Sequence, residues 1–148
     1  MNDYCRAAIF AIVFSVLTAV SAAAQSNWSA VHSGANVDLV AVYFTSDKTG
    51  WIAGDDGYLA STNDGGATWT KVSLDTKEDI NEIYFRNNDN GYLVAGRVMY
   101  ITHDGGKTWK QTRLYESADV RKGTPEFLSI RFAGKKIGIA VGSVVEKN

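Results

Sequence analysis

Thr62-Asn63-Asp64-Gly65-Gly66-Ala67-Thr68-Trp69 returns forty residues later as Thr102-His103-Asp104-Gly105-Gly106-Lys107-Thr108-Trp109. A second shared unit precedes each copy. Val42-Tyr43-Phe44 leads to Gly50-Trp51-Ile52-Ala53-Gly54, and Ile83-Tyr84-Phe85 leads to Gly91-Tyr92-Leu93-Val94-Ala95-Gly96. A third unit of this kind starts late, with Ile130-Arg131-Phe132 and then Gly138-Ile139-Ala140-Val141-Gly142. The step from Phe44 to Phe85 is 41 residues and that from Phe85 to Phe132 is 47, and the surplus falls in the connection Leu114 to Glu126.

A unit of about 40 residues with four short β-rich runs has the length of one propeller blade. The runs are β-branched or aromatic and are bounded by Gly, Asp or Asn. The spacing predicts strands over 39–44, 51–54, 58–62 and 68–73 in a first blade (39–73). In a second blade (80–113) it predicts strands over 80–85, 92–95, 98–102 and 108–113. A partial blade follows over 127–146. No stretch after Ala24 carries a helical period. The fold class is therefore all-β: an incomplete β-propeller with two full four-stranded blades and part of a third. Side chains alternate across a strand. Val42 and Phe44, Ile83 and Phe85, and Ile130 and Phe132 thus share faces, and these positions are expected to form the contacts between blades. Trp28 stands 41 residues before Trp69, so residues 27–31 are expected to form an outer strand separated from its blade.

The repeated octapeptide resembles the Asp-box, Ser/Thr-x-Asp-x-Gly-x-Thr-Trp, and both copies match at every fixed position. The physics of that pattern is local. Asp64 and Asp104 suit a turn in which a carboxylate accepts nearby backbone amides. Gly66 and Gly106 admit positive φ without steric cost. The hydroxyls of Thr62, Thr68, Thr102 and Thr108 are placed to bridge the strand ends, with Trp69 and Trp109 packed over the turn. A buried Trp hides about 150–250 Å², worth roughly 4–6 kcal/mol at about 25 cal/mol per Å². These ten residues therefore read as framework. Each turn offers one carboxylate, whereas calcium takes six to eight oxygens. The glycine pairs do not open helices, as a phosphate cradle of that kind requires. No metal and no cofactor are expected.

The 148 residues carry a formal net charge of −1, 14 Gly and one Pro. Such a balance does not suggest a nucleic-acid binder or a polybasic membrane binder, and many glycines suit many tight turns. Arg6 and the amino terminus precede the uncharged run Ala7 to Val20, and Ser21-Ala22-Ala23-Ala24-Gln25 follows. This is the layout of a secretory signal peptide over 1–24, a signal helix cleaved after Ala24. The apolar run is short for a stable membrane span, which needs roughly 20 residues. Cys5, the single cysteine, lies before that run and is badly placed for a lipid anchor. It leaves with the signal, so the mature chain (25–148) has no thiol for disulfides, catalysis or zinc. The expected destination is periplasmic or extracellular.

Strands alternate in direction, so the Asp-box turns share one rim with the loops between first and second strands. The opposite rim carries Asp55 and Asp56, then Arg97, and the long connection with Glu116, Arg121 and Lys122. Loops carry function more often than frameworks do. These six residues are the candidates for contact with a protein partner. Adjacent carboxylates such as Asp55 and Asp56 diverge on a turn and make a poor acid–base pair. His32 and His103 lie far apart in the repeat, and no Ser/His/Asp arrangement is formed.

Gly50-Trp51-Ile52-Ala53-Gly54 followed by an Asp-box ending in Thr68-Trp69 is similar to the photosystem II assembly and stability factor family, exported propellers with Asp-box (BNR-type) repeats. The resemblance covers roughly Trp28 to Gly142. It implies a multi-bladed propeller, usually of seven blades, without catalysis. Its photosynthetic members chaperone membrane-protein assembly in the thylakoid lumen. The expected function is thus an exported non-enzymatic module for protein binding or assembly. The alternative is a fragment of a carbohydrate-active hydrolase, because sialidases and some endoglucanases share the Asp-box. A sialidase needs three arginines around the substrate carboxylate and a Tyr nucleophile, and nothing in the spacing of Arg97, Arg113, Arg121 and Arg131 places three together. An open array also exposes blade faces and a strand edge, which invites self-association.

Overall fold

The computed structural model describes residues 29–115, 123–134 and 137–145. The strands are β1 (Leu39–Phe44), β2 (Gly50–Gly54), β3 (Leu59–Thr62), β4 (Thr70–Lys71), β5 (Ile80–Phe85), β6 (Gly91–Ala95), β7 (Val98–Thr102), β8 (Lys110–Thr112), β9 (Thr124–Ala133) and β10 (Ile137–Val145). They form two four-stranded antiparallel sheets, β1-β2-β3-β4 and β5-β6-β7-β8, and a β9–β10 hairpin. A 3-10 turn, Asp55–Gly57, joins β2 to β3. The expected signal segment 1–24, Asn27, Trp28, Glu116, Arg121 and Lys122 lie outside the described residues.

Ser29 to Val31, the described part of the expected 27–31 strand, carries no strand. An outer strand needs a third strand to pair with. In the two complete sheets β4 and β8 already occupy that edge. The fourth strands are also shorter than the spacing predicts, opening at Thr70 and Lys110 rather than at Thr68 and Thr108. The amides of Thr68 and Thr108 are given to the corner aspartates, which takes them out of the ladder.

Each sheet has two unlike faces. The front face carries Ile83, Phe85, Leu93, Ala95 and Tyr100 in the second sheet, and it packs on Ala41, Tyr43, Trp51, Ala53 and Leu59 of the first. The back face of the second sheet carries Tyr84, Tyr92, Val94, Met99 and Ile101, and it packs on Phe127, Ile130, Phe132 and Ala140 of the hairpin. Ile83, Phe85, Ile130 and Phe132 thus stand between sheets. Val42 and Phe44 do not: they are 65% and 42% exposed. Their face points away from the second sheet, and it is Tyr43, on the opposite face, that reaches across. Its ring lies 5.7 Å from that of Phe85, and its hydroxyl donates to the Phe85 carbonyl at 2.7 Å. Ile52 and Ala60, in register with Val42 on the front face, are buried.

One contact repeats between sheets. Trp51, from the second strand of the first sheet, stacks on Phe85 with centroids 4.3 Å apart. Tyr92, at the matching position of the second sheet, meets Phe132 at 4.3 Å as well. A glycine makes room for each phenylalanine: a Cβ on Gly91 would stand 2.5 Å from the Phe85 ring. A β-bulge also recurs at one site in all three units, where Val40, Asn81 and Leu128 have no partner opposite. The bulge turns Asn81 toward the hairpin, and its amide donates to the Phe127 carbonyl at 2.8 Å.

Candidate functional site: the two rims

The Asp-box corners repeat almost atom for atom. In the first, the Thr62 hydroxyl donates to Asp64 Oδ1 at 2.7 Å and accepts the Gly66 amide at 3.0 Å. Thr68 donates its amide to Asp64 Oδ1 at 2.9 Å and its hydroxyl to Oδ2 at 2.6 Å. In the second, Thr102, Asp104, Gly106 and Thr108 make the same four bonds at 2.7, 2.9, 2.9 and 2.5 Å. The hydroxyl of Thr68, then its amide, then the hydroxyl of Thr62 hold the Asp64 carboxyl down at about 2. Thr108 and Thr102 do the same for Asp104. Hydrogen bonds to the ionised form favour it. Gly65 and Gly105 donate their amides to the backbone carbonyls of Lys48 and Asp89, both at 2.9 Å, which ties each corner to the loop before the second strand of its own sheet. The carboxylate oxygens are thus spent on their own turns. Among the described residues, no group of three or more His, Cys, Asp or Glu is placed to hold a metal ion.

Trp69 and Trp109 have like surroundings. Each meets the phenylalanine of its own first strand edge-on, Phe44 at 6.2 Å and Phe85 at 5.9 Å. Both are half-buried. Among the described residues the fully buried indole is Trp51, which is 3% exposed, and the sequence alone did not single it out. Gly106 (φ +83°) sits on it so closely that a Cβ there would stand 2.8 Å from Trp51 Nε1. The second corner therefore rests on the first sheet. The available signal was the place of Trp51 in the shared Gly-Trp-x-Ala-Gly unit.

The opposite rim does not repeat. On the first sheet it is acidic: Asp55 and Asp56 lie in the 3-10 turn, and the Asp56 amide donates to Asp79 Oδ1 at 3.0 Å. Desolvation, then the charges of Asp79, Asp38 and Asp56, raise the Asp55 carboxyl above its ordinary value. On the second sheet the described part of the rim carries two arginines, with the Glu78 carboxylate close to Gly96. Arg97 and Arg113, both exposed, line a recess of about 250 Å³ with Val98 and Tyr115. Asp55, Asp56 and Arg97 thus share this rim, with Asp55 and Asp56 on one blade and Arg97 on the next. Arg131 is elsewhere, paired with Glu82 and lying over the Tyr84 ring at 5.5 Å. His103 is exposed and meets Asn90 Oδ1 at 2.7 Å.

The residues that build both corners lie within the span of a family profile. The profile described as Photosynthesis system II assembly factor YCF48 matches residues 20–116 and 69–144. This chain belongs to that family. The photosystem II assembly lipoprotein Ycf48 of Parasynechococcus marenigrum (strain WH8102) is 37% identical over 66 residues, covering 45% of this chain and 20% of that protein. Its counterpart in Synechococcus sp. (strain CC9902) is 29% identical over 138 residues, covering 90% of this chain and 40% of that protein. The solved structure of YCF48 bound to a D1 peptide superposes with a TM-score of 0.66 at 27% identity, covering 81% of this chain and 40% of that one. YCF48 from Cyanidioschyzon merolae, at 24% identity and a TM-score of 0.63 over 77% of this chain and 34% of that one, shares the fold. The chain thus spans two fifths or less of the length of these YCF48 proteins.

Proposed function

We propose that this chain is a non-enzymatic, exported propeller module that binds a protein segment and acts in membrane-protein assembly. The observation that carries this reading is its likeness to the YCF48 structure that holds a D1 peptide, across 81% of this chain. The relatives being lipoproteins supports export. No helix among the described residues is long and apolar enough to cross a membrane.

In this reading the Asp-box corners are framework and the opposite rim receives the partner. The corner hydroxyls and carboxylates already bond to one another. The two guanidiniums of Arg97 and Arg113 beside Tyr115 suit a carboxylate-bearing stretch of polypeptide, since a guanidinium fork matches a carboxylate. Asp55 and Asp56 on the neighbouring blade suit basic residues in the same stretch.

The test is fluorescence anisotropy with labelled synthetic peptides tiling D1. Saturable binding is expected, weakened about tenfold by Arg97→Glu, the loss that goes with about 1.4 kcal/mol. Lys107→Glu, on the Asp-box rim, should leave binding unchanged. Equal losses from both variants, or binding by no peptide, would overturn the reading. Turnover of sialyl or glucan substrates by the chain would return the hydrolase to favour.

A further inference from the structure

A recess of about 410 Å³ opens on the Asp-box rim where the two complete sheets meet. Small-molecule sites run from about 300 to 1,000 Å³. Ser61 and Asn63 of the first sheet form one wall, and Asn88, Asp89 and Lys107 of the second form the other, with Trp51 beneath. Among the described residues the side chains of Ser61, Asn63, Asn88, Asp89 and Lys107 make no hydrogen bond or ion pair. The corner groups beside them are fully engaged: Thr102, Asp104 and Thr108 bond to one another. Nor does the module require these side chains, since Ile101, His103 and Ala67 stand at the matching places of the other repeat for Ser61, Asn63 and Lys107. The Trp51 indole N–H below them is buried without an acceptor, an exception to the rule that buried polar groups are bonded. Trp109 shares that exception but does not line the recess.

We propose that this recess binds a neutral, hydroxyl-rich ligand, a mono- or disaccharide, and holds it without turnover. A carboxamide donates and accepts at once, and so does a hydroxyl. The free carboxamides of Asn63 and Asn88, one on each wall, thus suit the adjacent hydroxyls of a sugar ring. Ser61 can do both, Asp89 accepts and Lys107 donates. Charge selects neither an anion nor a cation, because Lys107 faces Asp89 and the Asp104 carboxylate is already bonded. Trp51 and Val72 are the apolar side chains of the lining, too little for a mainly hydrophobic ligand. Cleaving a glycosidic bond takes two carboxyl groups, one of them a proton donor. Asp104, held down at about 2 by Thr108 and Thr102, cannot be that donor beside Asp89. This site is independent of the peptide-binding rim.

Proton–nitrogen NMR of the isotope-labelled chain tests it, with maltose, cellobiose and N,N′-diacetylchitobiose titrated separately. At least one sugar should give saturable shifts of the Asn63 and Asn88 carboxamides, the Gly105 and Gly106 amides and the Trp51 indole N–H. Asn63→Ala and Asn88→Ala should each weaken binding about fivefold, the loss that goes with about 1 kcal/mol. Both positions are exposed, and the dispersion of each spectrum reports that the variant is folded. No saturable shift with any of the three at millimolar concentration overturns the proposal. So do shifts confined to other parts of the chain, or binding indifferent to both variants. Equal shifts of the same signals by sodium glutamate or by the D1 peptides would assign the recess to a charged ligand or to polypeptide instead. Release of free monosaccharide in the same samples would refute the absence of turnover.

Discussion

The two rims of this molecule are built by different rules. On the Asp-box rim the corners at Thr62–Trp69 and Thr102–Trp109 reproduce the same bonds to within a few tenths of an ångström. On the opposite rim the first blade presents Asp55 and Asp56 and the second presents Arg97 and Arg113. Repetition marks what every blade needs in order to fold. Departure from it falls on the rim proposed to receive the partner. The Asp-box rim should therefore be fragile and the opposite rim tolerant.

The largest effect is expected at Trp51. Trp51→Ala removes a fully buried ring stacked on Phe85 and should cost about 3–5 kcal/mol in urea unfolding. Trp51→Phe should cost far less, because it keeps a ring there and removes an indole N–H that is buried without an acceptor. A cost below about 1 kcal/mol for the alanine would mean that the junction is not closed by this ring. Next comes Gly106→Ala, whose methyl meets the Trp51 indole at a positive φ. It should cost about 1–3 kcal/mol, read from the same transition, and an unchanged midpoint would show that the corner does not rest on the first sheet.

The corner carboxylates predict a pH dependence with a definite sign. Folding lowers both from the ordinary 3.8 to about 2, so the fold favours the ionised form. Their contribution is complete above pH 4 and is lost as pH falls toward 2. Thermal melts across that window should show the midpoint falling for the wild type and falling less steeply for Asp64→Asn with Asp104→Asn. Parallel curves would count against the hydrogen bonds. The smallest effect is expected on the other rim. Arg97→Glu should leave stability within about 0.5 kcal/mol, while the proposed function expects it to weaken peptide binding. A large drop in melting temperature would make Arg97 framework after all.

The corners were legible because their bonds span no more than four residues. Such contacts follow from residue type and spacing once the turn forms. The eight strands of the two complete blades were legible for a related reason: glycine and aspartate punctuate short β-branched runs. The ends of β4 and β8 were missed, since propensity continues through Thr68 and Thr108 while their amides are committed to aspartate. Val42 and Phe44 were assigned to a junction because alternation tells which residues share a face, and not what that face meets. Trp51 was overlooked because its partners, Phe85 and Gly106, are 34 and 55 residues away. The recess at Arg97 was also out of reach, since Arg97 and Arg113 come together only across β7 and β8.

What residue order alone specified here is the module: its period near 40, its strands, and a corner whose hydrogen bonds are closed within one turn. Those features are short-range, and each copy of the repeat encodes them independently. Which face of a sheet is covered, which tryptophan is buried and which charges share a rim were settled by stacking. Stacking joins residues from different modules, and its outcome depends on what lies across the junction, which no single module contains.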